Sequence, residues 1–352
     1  MKIEKLIPEI KDNIWGGVRL IEKYGKITDK RPCAESWELS CHKDGSSRLR
    51  DGRRLSEAVG PMELGENAVD FPFFPMLIKL IDSKENLSVQ VHPSDGYALE
   101  HEHSFGKTEM WYVVEADEGA GIYLGFKREV TRTEVEAAIK EERLTELLNF
   151  YPVKAGDCYF IPSGTIHAIG GGCLICEIQQ NSNLTYRVYD YGRRDKNGNT
   201  RELHVDKALS VLNLGKYERR VLPLGLLGIS KYFTVRKVSV NGEEHLSLDG
   251  KTFKSFTVVR GEGSLRGEKI SAGDSFFIPA NEKEFTLLGD MDIVLSEVRR
   301  YYLDIDKTDT GYRGHIYDDL GAVIISNEGE DEATLGLELL KSVNLSYEDL
   351  CK

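Results

Sequence analysis

The sequence predicts a mainly β protein built as two barrels with helical insertions. Two observations carry that prediction. The first is a run of short segments rich in Val, Ile, Tyr and Phe, separated by Gly, Pro, Asn and Asp: LSVQVH (87–92), EMWYVVEA (109–116), GIYLGF (121–126), DCYFIP (157–162) and LICEIQ (174–179). Strands of this length and spacing form antiparallel barrels or sandwiches. The second is an internal repeat. Residues 156–167 read GDCYFIPSGTIH and residues 273–284 read GDSFFIPANEKE, so Gly, Asp, Phe, Ile and Pro recur at the same offsets. A repeated strand-turn unit implies two related barrels.

Two segments read as helices inserted against a sheet. Thr131 is placed to cap a helix running to about Asn149, with Glu134 three residues on to complete the capping pair. Arg201 to about Leu214 is the second, with Val205, Ala208, Leu209 and Leu212 on one face. Beyond residue 300 the pattern is less legible. An acidic run, SNEGEDEA, precedes a segment with helical amphipathicity, and this tail has no functional account.

The 352 residues carry a formal net charge of −12, which disfavours nucleic acid or an anionic membrane surface as partner. A small basic pocket for an anionic substrate remains compatible with it. The N-terminus, MKIEKLIPEI, has charges where a leader needs an apolar stretch. No apolar run approaches the roughly 18–20 residues of a membrane span. These features read as a soluble cytoplasmic chain with no inferable protein partner. The six cysteines (33, 41, 158, 173, 176 and 351) are too sparse for a disulfide framework. Cys173 and Cys176 match C-x-x-C, but on a strand they point to opposite faces, so both read as reduced core residues.

The chemistry is concentrated around His167. The block Gly156-x5-Pro162-x-Gly164-x2-His167 matches the second sequence motif of the cupin superfamily. A strand leads into a Pro/Gly turn, and the next strand opens on a His directed inward, able to offer a neutral imidazole to a metal. Two upstream sets compete as its partners. His101-Glu-His103 followed by Glu109 resembles the usual cupin H-x-H…E pattern, but YALEHEHSFGK lacks two-residue apolar alternation and reads as a helical turn and loop. In LSVQVH, Gln90 and His92 share one strand face while Val89 and Val91 take the other. The expected ligands are therefore His92, Glu109 and His167, with Gln90 as a fourth. Nitrogen and oxygen donors with an open position suit one divalent ion. Zn²⁺ fits best, and Mn²⁺, Fe²⁺ or Co²⁺ accept the same donors. In the repeat, Glu284 stands where the first copy has His167. The expected organisation is thus a catalytic cupin domain with helical insertions (1–225), a second, metal-free cupin-like domain (226–299) and a C-terminal appendage (300–352). The fold class is mainly β, with two cupin (jelly-roll-like) barrels.

Several segments together resemble the type I mannose-6-phosphate isomerases (phosphomannose isomerases) of the short bacterial kind: KLIDSKENLSVQVHP (79–93), GKTEMWYV (106–113), FIPSGTIHAIG (160–170) and EIQQNSNLTYRVYDYGR (177–193), with AESWELS (34–40) and Trp15-Gly-Gly. The resemblance spans roughly residues 1–298. It implies two cupin barrels with the site in the first, and the same metal ligands, Gln90, His92, Glu109 and His167. It further implies Arg187 as catalytic arginine, Lys107 as a pocket lysine for proton transfer and Glu177 as a pocket carboxylate. Lys79 and Ser88 would meet the substrate phosphate, and Arg193 sits where longer relatives carry a Lys. Those relatives have an Asp four residues before the arginine. Here it is Asn183, which cannot titrate, so Lys107 and Glu177 stand as the alternatives for the base.

The implied reaction interconverts mannose 6-phosphate and fructose 6-phosphate by moving a proton between C2 and C1. Negative charge develops on O1 and O2, where a divalent ion and Arg187 would stabilise it. A base returns the proton on the same face. Two other functions compete. A cupin dioxygenase would leave Arg187 and Lys107 without a task, and a non-catalytic sugar-phosphate-binding module would not need the intact ligand set.

Overall fold

The 109–116 segment forms one strand, Glu109–Ala116, antiparallel to Cys158–Ile161 on one side and to Cys173–Gln180 on the other. Alternation along these strands decides what each face carries. Trp111, Val113, Ile81, Ile175 and Cys173 turn to one face and join a buried cluster with Ile122, Leu124 and Ile169 of a second sheet. Lys79, Glu109 and Glu177 continue those same rows. One interior face thus changes from apolar to charged along its length.

The computed structural model describes residues 1–351 except 196, 220 and 224. The chain divides into two units, one of residues 7–48 and 76–219, the other of 1–6, 49–75 and 220–352. The first contains a six-stranded sheet, ordered Cys158–Ile161, Glu109–Ala116, Cys173–Gln180, Met76–Ser83, Glu35–Leu39 and Glu9–Lys11. Its five-stranded partner is ordered Leu148–Pro152, Gly121–Phe126, His167–Ile169, Val89–Val91 and Tyr186–Tyr189. The fold is mainly β, as expected, but each sheet keeps two edges, and no closed barrel forms among the described residues. The two sheets are joined by interdigitated side chains rather than by a continuous hydrogen-bonded ladder.

The outer face of the five-stranded sheet, with Val89, Val91, Ala168, Tyr186 and Val188, is covered by the helices Arg132–Lys140 and Val205–Val211. The capping pair forms: Glu134 N donates to Thr131 Oγ1 at 3.2 Å and Thr131 N donates to Glu134 Oε2 at 2.7 Å. Both helices are shorter than the sequence implies. The first ends at Lys140, because Glu142 takes a left-handed φ of 56° and the chain turns into the strand Leu148–Pro152. The second starts at Val205, and Arg201 precedes it in irregular chain.

In the other unit, a sheet runs Glu4–Lys5, Ser275–Ile278, Lys254–Leu265, Glu284–Glu297, Thr234–Ser247 and Leu226–Ile229. The sequence repeat is also a structural one. Gly156 N donates to Val113 O and Val113 N to Asp157 O, while Gly273 N donates to Val258 O and Val258 N to Asp274 O. Both turn glycines have positive φ, 91° and 97°. The tail folds as a three-stranded meander, Tyr301–Thr308, Gly311–Asp318 and Val323–Gly329. The helix Glu332–Ser342 buries Leu335, Leu339 and Leu340 in the core of this meander. Among the described residues, no helix is long and apolar enough to cross a membrane.

Candidate metal centre

Three neighbouring strands of the five-stranded sheet build one wall of the centre, and Glu109 faces it from the six-stranded sheet. His167 and Arg187 are both Cα partners of Gln90, from the strands on its two sides, so the three side chains form one cross-strand row. The turn into His167 depends on Gly164. Its φ is 82°, its N–H donates to His92 O at 2.8 Å, and a Cβ there would lie 2.9 Å from Val211 O. His92 and His167 are thereby held together, with ring centroids 4.8 Å apart.

His92, Glu109 and His167 are all buried, and their ligand atoms lie within 4.8 Å of one another. Among the described residues, no other three His, Cys, Asp or Glu side chains group this way. Each imidazole is fixed by its far nitrogen: His92 Nδ1 donates to Leu184 O at 2.7 Å and His167 Nδ1 donates to Thr165 O at 2.8 Å. Both Nε2 lone pairs therefore face inward, 3.5 and 3.4 Å from the Glu109 carboxylate. Burial, with the Lys107 ammonium second, holds His92 well below the usual imidazole range and His167 down at about 4. Both rings are neutral at physiological pH, the form that binds a metal. Glu109 Oε1 is buried with no hydrogen-bond partner. An orphaned carboxylate oxygen in a buried group flanked by two neutral imidazole nitrogens is costly unless a cation completes it, so this donor set fits a divalent ion. Gln90 Nε2 lies 3.4 Å from His167 Nε2, and reversing the amide turns its oxygen to the same point.

Lys107 and Glu177 stand beside the ligands. Lys107 Nζ bonds to Glu109 Oε2, lies 3.1 Å from His92 Nε2, and is 3.8 Å from Glu177 Oε1. Glu177 also receives Trp111 Nε1–H at 3.0 Å and lies 3.2 Å from Lys79 Nζ. Burial pushes Glu109 up to about 7, helped by the charge of Glu177. Burial acts on Glu177 as well, but Lys107 and Lys79 override it and hold Glu177 low, at about 2.

These groups open onto a cavity of about 540 Å³, lined among others by Lys79, Ser88, Gln90, Lys107, Glu177 and Arg187. Arg187 Nε donates to Ser88 Oγ at 3.2 Å and Nη1 to Glu202 O at 2.9 Å. Lys79 lies over the Trp37 ring and 3.7 Å from Glu35 as well as beside Glu177. Asn183 lies at the rim, its amide donating to Asp44 Oδ2 at 3.1 Å. Arg193 is not among the lining residues. His101 and His103 are exposed on and just after the helix Asp95–Glu102, His101 stacked on Tyr97. Sequence reading passed over Trp111, Glu35, Arg201 and His204, of which the last three line the cavity. Trp111, two residues after Glu109 on the same strand face, was within reach of the alternation rule.

Fold and site together define a mainly β, cupin-type protein with a buried His–Glu–His cluster able to hold a divalent ion. Family models place it further: phosphomannose isomerase type I, catalytic domain, matches residues 3–118, and mannose-6-phosphate isomerase, cupin domain, matches residues 226–298. The mannose-6-phosphate isomerase of Streptococcus mutans is 36% identical over 300 residues, 80% of this chain and 94% of that one. ManA, a mannose-6-phosphate isomerase of Bacillus subtilis, is 35% identical over 312 residues, 83% of this chain and 97% of ManA. The crystal structure of a Bacillus subtilis mannose 6-phosphate isomerase superposes with a TM-score of 0.77 at 35% identity, covering 84% of this chain and 99% of that one. The chain belongs to the type I phosphomannose isomerase family, the mannose-6-phosphate isomerases.

Proposed function

We propose that the protein is an aldose–ketose isomerase that interconverts mannose 6-phosphate and fructose 6-phosphate, using one divalent ion held by His92, Glu109, His167 and the Gln90 amide oxygen. The observation that carries this reading is the buried Glu109 carboxylate set against two inward-facing Nε2 atoms, its Oε1 unbonded and 3.4 Å from His167 Nε2, next to a cavity that Gln90, Lys107 and Arg187 line. A divalent ion there, zinc best suited to the donors, supplies Lewis-acid stabilisation of charge on the sugar oxygens.

The remaining work belongs to side chains. Arg187, in the row next to Gln90, stabilises the negative charge that develops on O1 and O2. Lys107 and Glu177 stand within 3.8 Å of each other, and one of them carries the proton between C2 and C1. Glu177, held ionised, is suited to accept it, and Lys107 to polarise the neighbouring oxygen. Lys79 and Ser88 form part of the wall against which the sugar is oriented.

The chemistry falls in the first of two cupin-like modules, 1–225, with 226–299 as a metal-free second and 300–352 as an appendage. Supporting this, the repeat position of His167 is taken by Glu284, which is exposed and 3.5 Å from His245. The test is the conversion of mannose 6-phosphate before and after a chelator, with glucose 6-phosphate alongside. Activity that needs the ion and is specific for mannose 6-phosphate is expected, and activity untouched by complete metal removal would refute the metal role.

A further inference from the structure

Positive charge in the cavity is unevenly balanced. Lys79 is neutralised by Glu177 and Glu35, and Lys107 by Glu109 and Glu177. Around Arg187 the balance is different. Arg187 forms no ion pair with a carboxylate among the described residues, and its guanidinium is held below the usual range by burial and by the charge of Arg201. Arg201 lines the same cavity. Its Nε and Nη2 donate to the two oxygens of Asp190 at 2.8 and 2.6 Å, leaving Nη1 without a partner among the described residues. Arg193 is arranged the other way. Its guanidinium is taken up by the Asn86 carbonyl, by Asp190 Oδ1 at 2.5 Å and by the Tyr191 ring. Asp190 thus pairs with two guanidinium groups, Arg193 and Arg201, and none pairs with Arg187, while Arg187 and Arg201 both line the cavity. Holding like charges together is unfavourable unless an anion joins them, and a guanidinium fork matches phosphate oxygens.

We propose that Arg201, held by Asp190 beside Arg187, is the cavity residue that binds the phosphate of the substrate, and that Arg193 braces Asp190 without touching the ligand. Asp190 is then a positioning residue. The backbone fixes the same geometry, since His204 N donates to Arg187 O at 2.7 Å and ties the segment carrying Arg201 to the strand carrying Arg187. This inference rests on the sugar-phosphate reading above, but it can fail or stand separately from it.

The experiment compares the full-length wild type with Arg201→Gln, Arg201→Lys and Arg193→Gln. Inorganic phosphate is titrated calorimetrically, and kcat and KM are measured with mannose 6-phosphate and with unphosphorylated mannose. Arg201→Gln is expected to weaken phosphate binding about 10–100-fold and to raise KM for mannose 6-phosphate by a similar factor. Whatever turnover the wild type shows with unphosphorylated mannose should change far less. Arg201→Lys, which keeps the charge beside Asp190, should fall between Arg201→Gln and the wild type. Wild-type phosphate affinity in either Arg201 variant overturns the assignment, as does equal loss with mannose and mannose 6-phosphate, or a larger loss in Arg193→Gln. Phosphate binding through Arg201 in a chain that isomerises nothing would refute the proposed function and leave this inference standing.

Discussion

Trp111 Nε1 donates a 3.0 Å hydrogen bond to Glu177 Oε2 from the directly opposite position on the neighbouring strand. Against burial, the charges of Lys107 and Lys79 and then that bond keep one buried carboxylate ionised, while Glu109, which shares Lys107 with it, is pushed up by burial to about 7. Two carboxylates in one site are driven apart in acidity by their neighbours, an arrangement that separates proton-transfer and ligand roles.

Trp111→Phe tests that bond. An aromatic ring is kept, but the donor is lost and the smaller ring leaves a cavity at a buried site, so stability should fall by about 2–3 kcal/mol, read as a shift in the urea midpoint. If Glu177 handles the proton, kcat should fall about tenfold or more with metal content unchanged. Unaltered kcat would remove Trp111 from the catalytic arrangement.

Metal content separates the two histidine pairs. His92→Ala and His167→Ala should each lose the ion when assayed by elemental analysis, because each removes one of three close donors. The double change of His101 and His103 to Ala should leave it in place, since both side chains are exposed.

Arg187→Ala should lower kcat by about 10²–10³, the usual cost of removing one charge-stabilising donor, while the protein retains its metal. Turnover near the wild-type rate would exclude Arg187 from charge stabilisation.

Acid stability should depend on Asp292. Its carboxylate is buried, but Arg260, Ser239 and Lys237 overcome the cost of burial and hold it at about 2. The unfolded value is about 3.9. A depressed folded value contributes stability that is complete above pH 4 and lost as the pH falls toward 2. Asp292→Asn should therefore be about 1 kcal/mol less stable at pH 7, and the difference should close between pH 4 and pH 2 in denaturant titrations. A constant difference across that range would contradict the pairing.

In the tail, Leu339→Ala removes a fully packed side chain from the helix–meander core. It should cost about 2–5 kcal/mol of local stability, seen as faster amide exchange across Tyr301–Thr308 and Gly311–Asp318. Unchanged exchange would mean that the meander does not depend on this helix.

Much of the centre was readable in the sequence because a strand's period is two. Once Val89 and Val91 are core, Gln90 and His92 must face the other way, and once Pro162 and Gly164 make a turn, His167 must open the next strand. The same rule covers Glu109 and, had it been carried on, Trp111. The helices misled for the converse reason. The 3.6-residue pattern of 205–212 ran back in register to Arg201, but His204 N bonds to the Arg187 carbonyl and the helix starts only at Val205. That long-range bond leaves no local trace, so the sequence pattern places Arg201 at the start of the helix instead of in the cavity wall.

The meander after residue 300 escaped notice because its edge strands alternate too weakly to distinguish from loop. By itself, the sequence determined the fold class, the repeat and which residue types face inward. Only the tertiary structure decided which of those inward groups meet. It paired the Lys79 and Lys107 ammonium groups with carboxylates and left Glu109 Oε1 without a hydrogen bond. It also turned Arg201 into the cavity and Arg193 away from it. Those outcomes depend on distances between strands far apart in the chain, which local periodicity does not encode.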